Sequence, residues 1–204
     1  MTVAHDVPRP ADPGSFDQFV YLHGVGFREY EALLRMRGDR SVPRITYLRG
    51  ELELMTPSRY HENDKKRFAR LLEAWAEETG TELEGVGSWT LKNSKEERGA
   101  EPDECYTVDR VPESDEDRPD LAIEVIWTAG GIDKLEVYRK LGVREVWFYE
   151  RGTLRFFVLR GEQYEPLTRS EILPGVDPEL FIRCMAEPTQ ADAVRAVRRV
   201  LRGT

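Results

Sequence analysis

Apolar and polar positions along this chain regroup every ten to twenty residues, and the spacing changes with each group. Between Phe27 and Arg37, Tyr30, Leu33, Leu34 and Arg37 recur at helical spacing and Gly38 follows, which predicts a first helix. Residues 44–48 and 51–55 flank Arg49-Gly50 and predict a tight hairpin, in whose second arm Leu52 and Leu54 alternate with Glu51 and Glu53. Thr56, Pro57 and Ser58 then break the chain. From His61 to Glu78, Phe68, Leu71, Leu72 and Trp75 fall at i, i+3, i+4 and i+7, the signature of the longest predicted helix. Its other face is basic early (Lys65, Lys66, Arg67, Arg70) and acidic late (Glu73, Glu77, Glu78), an order that opposes the helix dipole. Phosphates near the basic half would account for that order; a solvated face is the plainer reading.

Two strands are predicted over residues 82–92 and 101–108, joined by a polar link at 93–99. Alternation in the second puts Glu101, Asp103, Cys105 and Thr107 on one side. The acidic run 112–118 reads as a solvent loop. It leads into Leu121 to Trp127, apolar apart from Glu124, as in a strand buried on both faces. A buried charge is costly unless it is paired or holds a metal, so Glu124 needs a reason to be there. Thr128 to Gly131 ends that strand, and Asp133 to Leu141 has helical spacing with Leu135 and Tyr138 inward. Gly142 closes the helix and Val143 to Tyr149 resumes as a strand, completing a strand–helix–strand unit. Segments 146–150, 153–160 and 163–167 read as an antiparallel meander, and residues 189–202 as a helix. That last helix has Ala193, Val197, Val200 and Leu201 on one side and Arg195, Arg198, Arg199 and Arg202 outward, for docking on the core or on a partner.

With 204 residues and 40% hydrophobic content, the chain suits one domain, residues 25–204 with a C-terminal helix, after a flexible lead-in at 1–24 that carries Pro8, Pro10 and Pro13. The fold class expected is mixed α/β: a central mixed sheet flanked by helices. A net charge of −8 argues against a protein that coats nucleic acid by bulk electrostatics, though not against an enzyme that touches it locally. Cys105 and Cys184 form no CxxC, and no stretch is apolar enough for a signal peptide or a membrane span, so a reducing cytoplasm is expected.

No phosphate-binding glycine loop, GxSxG elbow, HExxH or zinc-spaced Cys/His cluster is present, and three histidines make a histidine metal centre improbable. What remains is carboxylates on neighbouring strands with a lysine close behind. Carboxylates suit Mg2+ or Mn2+, and a lysine beside them can orient water and stabilise a phosphorane-like transition state. The pattern points to metal-assisted phosphodiester hydrolysis.

The segments EPD at 101–103, RPDLAIEV at 118–125 and DKLEVYRKLGVREVWFYE at 133–150 resemble, in that order, the PD-(D/E)XK nuclease superfamily. Within it they are similar to the Uma-two family of restriction-endonuclease-like proteins, which also tends to carry a GELELMTPS-like strand followed by a histidine, here 50–58 and His61. The resemblance spans roughly residues 25–185 and implies a restriction-endonuclease-like fold. It places Asp103 at the PD position and Glu124 at the acid of (D/E)XK, both as metal ligands. The lysine expected two residues on is Ile126, and the resemblance implies that Lys134 on the following helix replaces it; Lys140, near the helix end, suits dipole compensation instead. Glu53 completing the metal sphere and His61 touching substrate or water stand beside plain solvent-facing and capping roles, and Asp120 beside a loop-closing one.

The function implied is a DNA endonuclease, with RNA not distinguished, using Mg2+ or Mn2+ and working as a homodimer so that two sites meet two strands. Two other classes fit the same residues. One is a catalytically inactive nucleic-acid-binding or oligomeric module of the same fold, which the missing lysine at 126 favours; the other is a hydrolase of small phosphoesters.

Overall fold

The strand–helix–strand unit lies at the centre of the second of two sheets. In the computed structural model, residues 16–114, 116–128 and 131–203 are described. The first sheet contains β1 (Gln18–His23), β2 (Arg44–Leu48), β3 (Glu51–Thr56), β5 (Leu91–Asn93) and β6 (Arg98–Ala100), all antiparallel, in the order β1-β3-β2-β6-β5. Helix α1 (Phe27–Arg37) packs Tyr30 against Ile45, Tyr47 and Leu52 of this sheet. Arg49 and Gly50 both take positive φ, as the two central residues of a tight hairpin turn require.

The second sheet runs β11-β10-β9-β8-β7-β4, from β4 (Leu83–Gly85), β7 (Glu104–Val108), β8 (Leu121–Ile126), β9 (Glu145–Glu150), β10 (Thr153–Arg160) and β11 (Gln163–Leu167). Only β8 and β9 are parallel, joined over the sheet by α3 (Lys134–Arg139). Leu121, Ile123 and Val125 of β8 face one way, onto Phe68, Leu71, Leu72 and Trp75 of α2 (Arg59–Thr79). Ala122 faces the other way, onto Val137, Tyr138 and Leu141. The expected mixed α/β class is observed, with its strands divided between two sheets.

Helices α4 (Pro178–Met185) and α5 (Gln190–Arg202) complete the α2 layer. Ala193 and Val197 are buried there, Arg198 meets Glu77 and Glu78, and Arg202 chelates Glu78. Glu77 and Glu78 of α2 are therefore complements to α5, and Arg67 of α2 is buried, donating to the carbonyls of Met185 at the end of α4 and Glu187 just after it. Tertiary pairing overrides the dipole preference at both ends of this face.

Three expectations change. Residues 18–23, assigned to the lead-in, form edge strand β1 paired along its length with β3; its Val20, Tyr21 and Leu22 are all exposed, so no buried face marks it in the sequence. Residues 1–15 lie outside the described residues, as do Asp115 of the acidic loop and Ala129 and Gly130 of the break after β8. The predicted strand 82–92 is two strands, β4 and β5, in different sheets. The predicted strand 101–108 begins only at Glu104, because Pro102 has no N–H to give to a ladder. Glu101, Pro102 and Asp103 instead form the link from β6 in one sheet to β7 in the other. No helix among the described residues is long and apolar enough to cross a membrane.

Candidate active site

Where the two sheets meet, a cavity of about 310 Å³ opens on Glu53, His61, Glu124 and Lys134. Glu124 reaches it because β8 alternates: with Ile123 and Val125 turned to α2, Glu124 must face α3. Tyr138, one turn into α3, donates its hydroxyl to Glu124 Oε1. Burial, and then the neighbouring Glu124 charge, raise the Tyr138 pKa well above its ordinary value, so the phenol keeps the proton it donates. Lys134 Nζ lies 3.7 Å from the same Oε1 and donates to Thr46 Oγ1 of β2 at 2.8 Å, spanning the two sheets.

Lys134 is held there by the start of α3. Asp133 caps the helix, accepting from Leu135 N at 3.0 Å and Glu136 N at 3.2 Å. Arg98, fully buried on β6, donates to the carbonyl and the carboxylate of Glu136, and Asn93 Nδ2 donates to the Lys140 carbonyl. Arg139 first, against burial and with help from Arg98, holds the Glu136 carboxyl down to about 2.

Glu53 is 2% exposed and accepts from the backbone N–H groups of Gly131 at 3.1 Å and Ile132 at 3.5 Å through Oε2, fixing the chain that enters α3. Asp103 lies behind Glu124: its Oδ2 accepts from Val125 N at 2.6 Å, while its Oδ1 takes His61 Nε2 at 2.9 Å and the guanidinium of Arg44. Arg44 also reaches Glu62 at 3.1 Å. His61, 1% exposed, continues through Nδ1 to Asp17 Oδ2 at 3.2 Å, and Asp17 Oδ1 accepts from Ser58 N at 2.8 Å. Burial raises the Asp17 pKa, but the hydrogen bonds from His61 and Ser58 outweigh it and leave the carboxyl below its ordinary value. Ser58 also caps α2 by accepting from His61 N, so capping and site geometry share one turn.

All five expected site residues are thus brought to one seam. Glu101, expected beside Asp103, turns away to Arg37, Ile45 N and Thr90. Lys140 pairs with Glu162, and Asp120 accepts from Val108 N at 3.0 Å, so both stand outside the site. Asp17, Arg44 and Thr46 are additions that the pattern did not flag. They come from the residue before β1 and from β2, and only contacts across long sequence separations reveal them.

The donor chemistry of the cavity fits a hard divalent ion in part. Glu53 and Glu124 both present carboxylates to it, and Mg2+ typically takes one or two carboxylates and keeps its waters. Asp103 has both oxygens engaged, and among the described residues no group of three or more His, Cys, Asp or Glu side chains is arranged to hold a metal.

Among solved structures, the chain is similar to the crystal structure of a "putative nuclease belonging to DUF820" from Anabaena variabilis, at 11% identity over 85% of this chain and 99% of that one, with a TM-score of 0.47. That likeness is too loose to carry weight on activity. No curated protein matches. A family model matches residues 27–186, from the start of α1 to the end of α4, and so takes in Glu53, His61, Asp103, Glu124 and Lys134. By that match over most of its length, the chain belongs to the Uma2 family, described as "Putative restriction endonuclease".

Proposed function

We propose that this protein is a divalent-metal-dependent DNA endonuclease whose lysine has moved from the strand to α3. The observation that carries this reading is Lys134 Nζ 3.7 Å from Glu124 at a cavity shared with Glu53. Glu124 and Glu53 would hold Mg2+ or Mn2+, with Asp103 held behind them as a positioning residue for β8. Bound there, the ion would supply Lewis acidity and a more acidic water.

The chain's own residues do the rest. Tyr138 keeps its proton on the phenol oxygen and fixes the Glu124 carboxylate through it. Lys134, braced by Thr46, sets a positive charge where the phosphoryl oxygens gain negative charge as the phosphodiester is attacked. His61 and Val125 N fix Asp103 directly behind β8. A homodimer would offer one such site to each strand of a duplex, which light scattering can check.

The test is cleavage of supercoiled and linear DNA with Mg2+, Mn2+ or EDTA, by wild type, Glu124→Gln and Lys134→Ala. Metal-dependent nicking that falls by about 10²-fold or more in both variants is expected. Wild type that binds DNA and cuts none of it under any metal overturns the enzyme reading in favour of the inactive binding module.

A further inference from the structure

The cavity extends beyond the carboxylates, and its far wall is apolar. Strand register puts three residues in a row on one face of the second sheet: Glu124 on β8 is level with Phe148 on β9, which is level with Arg155 on β10. At roughly 4.8 Å per strand, about 10 Å separates the carboxylate strand from the arginine strand. Phe157 meets Phe148 edge-on, with ring centres 5.6 Å apart and planes at 82°. The Arg155 guanidinium lies 5.6 Å from the Phe148 ring centre, donates to Glu150 at 3.0 Å and is about half exposed. Phe19 on β1 also lines the cavity.

A phosphate alone has no use for such a wall, and a cavity of about 310 Å³ is far too small for a duplex. That volume is at the lower end of small-molecule sites, roughly 300–1,000 Å³. A cation at each end with aromatic rings between them matches one nucleotide unit, a planar base on a sugar that carries a phosphate on either side. Inside a duplex that base is stacked and out of reach unless it is extruded. Resting on the nuclease reading for where cutting happens, but not for the seat itself, we propose that this cavity seats one unpaired nucleotide, its base against Phe148 and Phe157 and its phosphates toward Lys134 and Arg155. The substrate class is then single-stranded or locally opened nucleic acid.

The experiment uses oligonucleotides of one sequence as single strand, single-base bulge and perfect duplex, with 2-aminopurine at the unpaired position. Binding is read by anisotropy and 2-aminopurine fluorescence in EDTA, and cleavage is read separately with Mn2+. Wild type should bind the unpaired forms about tenfold more tightly than the duplex and quench the probe, as base–aromatic stacking does. Phe157→Ala should bring that preference to within about threefold; should it fail to fold by circular dichroism, Phe157→Leu removes the ring while keeping apolar volume. Equal affinity for duplex and unpaired forms with an unquenched probe, or no binding to any form, overturns the seat. Selective, quenched binding without cleavage keeps the seat and removes the nuclease reading. Cleavage of duplex as fast as of bulge removes the seat and leaves the nuclease reading intact.

Discussion

Glu124 and Glu145 stand on neighbouring parallel strands of one sheet, both buried carboxylates among apolar neighbours, yet their surroundings differ completely. Glu145 is fully buried and its acceptor capacity is spent inside the protein: Oε1 takes Trp147 Nε1 at 2.6 Å, and Oε2 takes the Glu171 and Ile172 N–H groups at 3.0 and 3.1 Å. It pins the loop after β11 to β9. Glu124 meets its two partners, Tyr138 and Lys134, at one oxygen and lines a cavity. Burial of a charge therefore marks a constraint, and only the company it keeps says whether the constraint is architectural or chemical.

The comparison can be broken in order of effect. Glu124→Gln should lower metal-dependent cleavage by about 4 kcal/mol of transition-state stabilisation, on the order of 10³-fold, with little change in melting temperature. Full activity in that variant would make Glu124 as architectural as Glu145. Lys134→Ala should cost about 10²-fold in kcat, measured on plasmid nicking, with the fold intact by circular dichroism. Glu145→Gln should do the reverse. Replacing an acceptor opposite two backbone donors should remove about 2 kcal/mol of stability, a fall of roughly 4–8 °C in Tm, while cleavage at permissive temperature stays within about twofold. Tyr138→Phe sharpens the contrast by removing one hydrogen bond of about 1 kcal/mol, and kcat should drop several-fold as Glu124 loses its fixed orientation.

The smallest effect is a pH slope. The folded-state pKa of Glu136, about 2, lies below its ordinary 4.5, so the stability it contributes is present above pH 4.5 and is lost as the pH falls toward 2. Urea midpoints measured across that window should flatten in Glu136→Gln. An unchanged slope would mean that the Arg98 and Arg139 pairing of α3 adds nothing to folding.

Elements with a strong one-sided pattern were legible in the sequence. The first helix matches α1, and the long helix extends only from 61–78 to 59–79. The strand–helix–strand unit holds because an apolar run, a capping Asp133 and Gly142 all act locally. β1 was hidden because an exposed edge strand has no buried face to alternate. α4 carries a readable start, Asp177 capping and Pro178 at the first turn, with Leu180, Phe181 and Cys184 inward, and that signal could have found it. At the site, Glu124 announced itself as a charge out of place, and Lys134 by resemblance. Arg44 and Asp17 could not, because an ion pair across 59 residues and a hydrogen bond across 44 leave no periodic trace.

The link from β6 to β7 crosses between the sheets at Glu101, Pro102 and Asp103. Its acids clamp both: Glu101 onto Ile45 N of the first sheet and Arg37 of α1, Asp103 onto Val125 N of the second. During synthesis, a nascent chain that has built only its first sheet holds Glu53 and His61 but has no Glu124 opposite them. The candidate site thus exists only once both sheets have docked, so its geometry reports on the finished tertiary structure and not on either half alone.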